Sequence, residues 1–170
     1  VHGSSLANQM KPTFIPHISQ RSGLTIAGAI STALLCGALL FEFVGGYAPC
    51  ELCIWQRWPH LAIIVAAFIG LRGIMPRSML WLTFIAGSIS VGLGGYHAGV
   101  EYGFWAGPTS CSTILIPDGD IKALTQKLLV TPIARCDEVP WSLFGLSMAG
   151  WNALISLDII AAALISLRRS

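Results

Sequence analysis

The stretch Cys50-Glu51-Leu52-Cys53-Ile54-Trp55-Gln56-Arg57 decides the fold class, because it sets a Cys-x-x-Cys pair in a turn between two long apolar runs. Arg57 follows the second cysteine by one helical turn. Close thiols serve redox exchange or metal binding, and a nearby fixed positive charge increases the thiolate population. The stretch therefore predicts redox or metal chemistry at a membrane surface.

The composition is typical of a membrane protein. Of the 170 residues, 54% are hydrophobic and 11% are charged, and the mean hydropathy is +0.70. A soluble domain carries about 25% charged residues. The net charge of +2 gives no reason to expect a nucleic-acid partner, whereas contact with membrane lipid is expected.

Four apolar runs are candidates for membrane-spanning helices. A helix needs roughly 20 apolar residues to cross a bilayer, and lipid offers backbone groups no partner outside their own chain. The runs cover residues 24–44, 54 or 59 to 71, 79–96 and 143–167. They predict an all-α membrane protein, a bundle of four transmembrane helices. Small residues in the third run favour close helix packing: Gly87, Ser88, Ser90, Gly92, Gly94 and Gly95.

Lysine and arginine set the predicted orientation of this bundle. Basic residues without acids precede the first run, fill the second connection and close the chain: Lys11, Arg21, Arg72, Arg77, Arg168 and Arg169. The positive-inside rule therefore places both termini in the cytoplasm. The first and third connections then face outward, into a compartment where disulfides persist.

We predict a cytoplasmic segment over residues 1–22 and a single four-helix membrane domain over 23–170, with outer loops of about 45–58 and 97–141. Residues 1–9 precede Met10 and carry no motif, so we expect them to be an expression remnant. The first apolar run is long for a signal peptide and lacks an A-x-A-like cleavage site. We therefore expect it to be retained as a helix.

The long outer loop is predicted to carry a short amphipathic helix. After a polar cap at 118–120, apolar residues share one helical face: Ile121, Leu124, Leu128 and Leu129. This helix either lies on the membrane surface or packs on its own loop.

The same loop holds a second cysteine pair, Cys111 and Cys136, too widely spaced for a local motif. The pair forms either a structural disulfide or an exchangeable one that accepts electrons from an outside thiol protein. A zinc site is disfavoured because this pair lacks a local Cys-x-x-Cys or Cys-x-x-His, so we predict no metal. Cys36, within the first run, is expected to pack as a small apolar residue.

Charged residues near the Cys-x-x-Cys pair have open alternatives. If the second helix begins near Cys53, its dipole stabilises a thiolate there, and Arg57 either adds to that effect or binds lipid headgroups. Glu42 is expected to reach water, and Glu101 to be a solvated acid rather than a partner of His97. Asp158, deep in the fourth run, receives no role.

Several stretches together resemble the bacterial DsbB family, over about residues 23–167. They are 50–59 (CELCIWQRWP), 96–101 (YHAGVE), 107–111 (GPTSC) and 136–148 (CDEVPWSLFGLSM). Position 56 is Gln, where some members carry an acid. The resemblance implies an enzyme of the bacterial inner membrane that reoxidises a periplasmic thioredoxin-like oxidase (DsbA-like). The electrons would pass to quinone, either ubiquinone or menaquinone.

The resemblance also assigns roles to the cysteines. Cys111 would be attacked by the partner's thiolate, and the freed Cys136 would attack the Cys50–Cys53 disulfide at Cys50. Cys53 would remain as the thiolate that faces quinone.

Two further residues receive roles from the resemblance. Arg57 would stabilise the Cys53 thiolate and polarise a quinone carbonyl. His97, placed at the start of the outer loop, would bind a quinone carbonyl or handle a proton. The alternative for His97 is an ordinary interfacial histidine.

Three alternatives to this function remain. One is a specialised DsbB-like paralogue with a dedicated partner. Another is the vitamin K epoxide reductase-like group, against which the position of Arg57 and the 136–148 string argue. The third is a non-catalytic membrane scaffold whose cysteines form structural disulfides.

Overall fold

The computed structural model describes residues 19–108 and 134–169. In these ranges the chain forms four long helices, α1 (Gln20–Phe43), α2 (Glu51–Leu71), α3 (Pro76–Glu101) and α4 (Met148–Arg168). All four are long and apolar enough to cross a membrane, which confirms the predicted all-α four-helix bundle. The segment ahead of residue 19, Cys111 and the predicted amphipathic helix lie outside the described residues.

The helices run antiparallel to their neighbours along the chain. At one end, Arg57 near the start of α2 pairs with Glu42 near the end of α1. At the other end, Arg21 near the start of α1 donates a hydrogen bond to the carbonyl of Leu71, 3.2 Å away. We call the first of these the cysteine end, because Cys50 lies there at the start of α2. Both ends of the described chain lie at the opposite end of the bundle.

Small residues let α3 and α4 approach closely. A Cβ on Gly94 would lie 3.1 Å from the Cβ of Ala153, and one on Gly87 would lie 3.1 Å from an atom of α4. These contacts confirm the packing role predicted for the two glycines. A Cβ on Gly92 or Gly95 would meet no described atom within 4 Å, so the same prediction for these two is wrong.

Helix α2 begins at Glu51, earlier than either predicted start, and Cys50 is its N-cap. The Sγ of Cys50 accepts a hydrogen bond from the backbone N–H of Cys53, 3.2 Å away. Sulfur here takes the place of the side-chain oxygen that caps most helices. The helix therefore includes the aromatic stretch 55–58.

Helix α3 continues to Glu101, so His97 lies inside the helix and not at the start of a loop. The turn that follows folds back on the helix end. The indole N–H of Trp105 donates to the carbonyl of Tyr96, 2.8 Å away, and its ring packs on Gly99 at a place that a Cβ would fill. Only glycine allows this approach, and the extra helical turn carries Glu101 into the bundle.

Helix α4 begins at Met148, five residues after the predicted start of the fourth run at Leu143. A short hairpin, β1 (Ser142–Leu143) and β2 (Leu146–Ser147), precedes it. Its two-residue turn has positive φ angles, 53° at Phe144 and 77° at Gly145, which a helix cannot accommodate. Hydropathy does not register this turn, because its residues are as apolar as the helix.

Candidate redox site

The two thiols of the Cys-x-x-Cys pair form one unit at the start of α2. The Sγ of Cys50 donates a hydrogen bond to the Sγ of Cys53, 2.8 Å away, and both cysteines are free thiols. This hydrogen bond, and secondly burial, raise the pKa of Cys50. Cys50 therefore holds the proton, and Cys53 is the acceptor. Cys53 is the more accessible thiol, because Cys50 is buried and Cys53 is half-buried.

The structure brings Cys136 and His97 to Cys50. The Sγ atoms of the two cysteines and a ring nitrogen of His97 all lie within 4.8 Å of one another. Cys136 is fully buried and disulfide-bonded, and its bonding partner lies outside the described residues. Three such ligands resemble a metal site, but a disulfide sulfur is not a thiolate ligand. The arrangement suits exchange between sulfur atoms.

A local ion pair spans Cys136. The guanidinium of Arg135 donates two hydrogen bonds to the carboxylate of Asp137, at 3.0 Å and 2.7 Å. The pair raises the pKa of Arg135 and lowers that of Asp137. Exposed pairs of this kind add little stability.

His97 is buried, with 3% of its surface exposed, so the interfacial alternative does not describe its environment. Its Nε2 lies 3.6 Å from the Sγ of Cys50, and its Nδ1 lies 2.7 Å from the amide nitrogen of Gln56. The ring also hydrogen-bonds the backbone of Cys136. His97 therefore connects the two cysteine-bearing segments.

Glu101 is not the solvated acid that was predicted. Its side chain is 2% exposed, and its Oε1 lies 3.9 Å from Nε2 of His97, one helical turn away. The hydroxyl of Ser147, just ahead of α4, hydrogen-bonds the carboxylate. The prediction was wrong because α3 extends one turn further than hydropathy indicates.

Glu42 also differs from the prediction that it reaches water. Its Oε2 lies 2.6 Å from NH1 of Arg57, and both side chains are 23% exposed. The Nε of Arg57 is buried and has no hydrogen-bond partner among the described residues. This placement between helices favours a role in the site over a lipid-headgroup anchor.

A cavity of about 260 Å³ opens at the cysteine end and is lined by residues of all four helices and of the segments before α2 and α4. Much of its wall is apolar, with Phe41 and Trp141 among the lining residues. Polar groups of the site also line it: Glu42, Cys53, Gln56, Arg57, His97 and Glu101. A planar ligand with hydrogen-bond acceptors at its edge suits such a cavity.

Three polar residues to which the sequence analysis assigned no site role continue the site into the bundle. Gln56 contacts His97, the amide of Asn152 contacts Gln56 at 2.8 Å, and His60 contacts Asn152 at 2.8 Å. Polar residues inside membrane helices are usually buried and functional. The sequence signal that could have identified them is the presence of polar residues within apolar, membrane-length runs.

Two residues of the spanning helices lie outside the site. Cys36 is exposed on the surface of the bundle, so the prediction that it packs is wrong. Asp158 is exposed near the middle of α4. Neither lines the cavity at the cysteine end.

Four spanning helices that hold a reactive thiol pair against a disulfide-bonded cysteine are typical of membrane proteins of thiol–disulfide chemistry. The family described as disulfide bond formation protein DsbB matches residues 20–166. The chain belongs to the DsbB family, and is a disulfide-forming membrane oxidoreductase. Family and helices together point to a multi-pass protein of the inner membrane.

Individual relatives agree with this membership. Disulfide bond formation protein B of Burkholderia ambifaria is 31% identical over 86% of this chain and 88% of its own length. Disulfide bond formation protein B 2 of Pseudomonas aeruginosa is 32% identical over 81% and 86%. An uncharacterised protein of Rickettsia prowazekii is 30% identical over 77% and 78%.

Proposed function

We propose that the chain reoxidises a periplasmic thioredoxin-like dithiol oxidase (DsbA-like) and passes the electron pair to quinone. One observation carries the proposal. The sulfur of Cys136 lies within 4.8 Å of that of Cys50, which in turn lies 2.8 Å from that of Cys53. Three sulfurs in sequence form a path for disulfide exchange from the outer loop to the cavity.

The exchange begins at the loop cysteines, which we pair as Cys111–Cys136. A thiolate of the partner attacks Cys111, a new disulfide forms, and Cys136 leaves with the electron pair. The Cys136 thiolate then attacks an oxidised Cys50–Cys53 pair at Cys50. A Cys136–Cys50 bond forms, the Cys50–Cys53 bond breaks, and Cys53 keeps the electron pair.

The cycle closes when the partner's second thiolate releases Cys111. Cys111 then attacks Cys136 and displaces Cys50, so that the loop disulfide is restored. The two thiols at the start of α2 are now reduced. Free Cys50 and Cys53 beside a disulfide-bonded Cys136 correspond to this stage.

The residues around Cys53 fit a quinone. The Nε of Arg57, buried and without a hydrogen-bond partner in the described part of the chain, is a donor for a carbonyl oxygen, and the apolar cavity wall suits a planar ring. When bound, quinone would accept two electrons and two protons as the two thiols become a disulfide. Arg57 would hold the ring beside Cys53, and His97 would hold a proton at Nε2, next to Cys50. Ubiquinone and menaquinone both present such carbonyls.

The proposed orientation sets the cysteine end in the periplasm. The opposite end carries the arginines Arg72, Arg77 and Arg168, in agreement with the positive-inside rule. Both chain ends would then be cytoplasmic.

A reconstituted assay tests the function. The purified chain is mixed with reduced DsbA-like oxidase and a soluble ubiquinone analogue, and quinone reduction is followed by absorbance. Turnover is expected in the wild type and in Cys36→Ala, but not in Cys53→Ser. No quinone-dependent oxidation by the wild type would overturn the proposal, and normal turnover by Cys53→Ser would overturn the electron path.

The same assay addresses the alternatives. A scaffold requires its cysteines locked in structural disulfides, whereas Cys50 and Cys53 are free thiols that touch each other. A specialised paralogue would turn over with a dedicated partner only, and comparison of two DsbA-like oxidases distinguishes it.

A further inference from the structure

A chain of polar side chains runs from Cys50 into the centre of the bundle. It passes through His97 and Gln56 to Asn152, and from Asn152 to His60. His60, which is 3% exposed, also lies 3.1 Å from the hydroxyl of Ser90. Groups on α2, α3 and α4 thus form one network that ends at a reactive sulfur.

The hydrogen bonds of this network share one direction. The amide nitrogen of Asn152 donates to Oε1 of Gln56, 2.8 Å away, so the Gln56 amide nitrogen faces His97. That nitrogen lies 2.7 Å from Nδ1 of His97, which must therefore accept. A neutral imidazole with an accepting Nδ1 carries its hydrogen on Nε2. Nε2 is the nitrogen that faces the Sγ of Cys50, and the backbone of Cys136 is a second acceptor for its hydrogen.

His60 fixes the far end of the same chain. Its Nε2 lies 2.8 Å from Oδ1 of Asn152, and donation to that oxygen leaves the Asn152 amide nitrogen directed at Gln56. A plain packing role, in which polar groups join helices, would require hydrogen bonds but no common direction. Here the side-chain amides of Gln56 and Asn152 each accept one hydrogen bond through the oxygen and donate one through the nitrogen.

We propose that Asn152 and His60 are positioning residues that, through Gln56, hold the hydrogen of His97 on Nε2 and directed at the sulfur of Cys50. The tautomer itself follows from the network alone, whereas its effect on exchange rests on the proposed function. The nearby titratable groups are Glu101, whose Oε1 is 3.9 Å from Nε2, and the thiol of Cys53 beside Cys50.

The consequence for exchange lies in the step that releases Cys50. The attacking thiolate of Cys111 forms a bond to Cys136, the Cys136–Cys50 bond breaks, and the electron pair stays on Cys50. The N–H of His97 donates a hydrogen bond to the resulting thiolate. Hydrogen bonds to a charged acceptor are stronger than those between neutral groups, so a fixed donor favours departure of Cys50.

Nitrogen NMR of the imidazole rings tests the tautomer without partner or quinone. The full chain, labelled with ¹⁵N-histidine, is studied in detergent micelles, and a His97→Gln variant identifies the His97 signals. We expect a protonated Nε2 and an unprotonated Nδ1 for His97. A protonated Nδ1 on the neutral ring would overturn the proposal, whatever the outcome of the quinone assay.

The variant Asn152→Leu tests the positioning role, because it removes the donor that orients Gln56. We expect the His97 Nδ1 signal to shift or broaden toward the protonated form. In the matched control Ser156→Ala, which removes a hydroxyl 2.9 Å from Ser90 at the far side of the network, the signal is expected to stay unchanged. An unshifted Nδ1 signal in Asn152→Leu would overturn the role of Asn152. If Asn152→Leu does not fold, His60→Leu gives the same test, because His60 is the next member of the network after Asn152.

Thiol alkylation provides a second readout. In a Cys36→Ala/Cys53→Ala background with the loop disulfide intact, iodoacetamide modification of Cys50 at fixed pH reports its thiolate. Adding Asn152→Leu is expected to slow this modification about tenfold, as the oriented donor is lost. An unchanged rate would show that His97 does not stabilise the Cys50 thiolate, even if its tautomer is as proposed.

Discussion

Arg57 and Glu42 join α2 to α1 immediately beside the reactive thiols, with NH1 of Arg57 2.6 Å from Oε2 of Glu42. The pair uses one side of the guanidinium and leaves the buried Nε without a partner among the described residues. Glu42 therefore orients Arg57 while a donor remains for a ligand in the cavity. In the proposed function the two residues would have separable roles: Arg57 would bind the quinone, and Glu42 would orient Arg57.

Substitution of Arg57 tests this separation. Arg57→Ala is expected to raise the KM for quinone about tenfold or more, because a charged hydrogen-bond donor is lost. The KM for the DsbA-like partner is expected to change little. Glu42→Gln, the matched control, keeps the guanidinium and should raise the quinone KM by less than about threefold. Unchanged quinone kinetics in Arg57→Ala would support the alternative that Arg57 binds lipid headgroups.

Blocking the exchange at Cys136 should trap the partner. In Cys136→Ser, Cys111 lacks its resolving neighbour. We therefore expect it to be trapped by a DsbA-like oxidase that lacks its own resolving cysteine and carries thionitrobenzoate on the remaining one. The Cys111 thiolate attacks that sulfur, the mixed disulfide forms, and thionitrobenzoate leaves with the electron pair. The adduct is measured as a shifted band on a non-reducing gel. The double variant Cys111→Ser/Cys136→Ser serves as the control and should give no such band. An equal yield of adduct from both variants would contradict the assigned order of transfer.

The raised pKa of Cys50 predicts a sharp difference between the paired thiols. A raised pKa keeps Cys50 protonated until the pH exceeds that value, so at pH 8 Cys53 should react with iodoacetamide well before Cys50. In Cys53→Ala the main cause of the shift, the hydrogen bond to Cys53, is lost. The pH at which Cys50 begins to react should then fall, as peptide mass spectrometry can measure. Faster modification of Cys50 than of Cys53 in the wild type would be incompatible with this assignment.

The contact between α3 and α4 predicts unequal effects of two neighbouring glycines. Gly94→Val would bring a side chain against Ala153 and should lower the free energy of unfolding by about 1–3 kcal/mol. Gly95→Val introduces the same residue where a Cβ meets no described atom within 4 Å, and should be nearly neutral. Unfolding in detergent mixtures measures both, and comparable losses would show that the tight contact is not what limits substitution.

The sequence allowed prediction of the four helices from hydropathy and of the Cys50–Cys53 pair from its motif, because both are local properties. That Cys136 meets Cys50 was expected only from the resemblance to the DsbB family. Helix ends were less predictable. The burial of Glu101 depends on one extra turn of α3, and the start of α4 depends on the turn at Phe144 and Gly145. Neither feature changes the apolar character of the chain.

Contacts between helices account for the other differences. The partner of Glu42 lies on another helix, as does the partner of His60, and no spacing within one run identifies such pairs. The exposure of Cys36 likewise depends on which face of α1 meets its neighbours.

The Sγ of Cys50 caps the first turn of α2. The usual N-cap acceptor is a side-chain oxygen that takes no part in chemistry. In the proposed cycle the Sγ of Cys50 changes its bonding partner twice per turnover. In the proposed cycle, the stability of the first turn of α2 therefore depends on the bonding state of the Cys50 sulfur. Fraying of the first turn, measured by amide hydrogen exchange at Cys53, would report the stage of the catalytic cycle without any spectroscopic label on the sulfur.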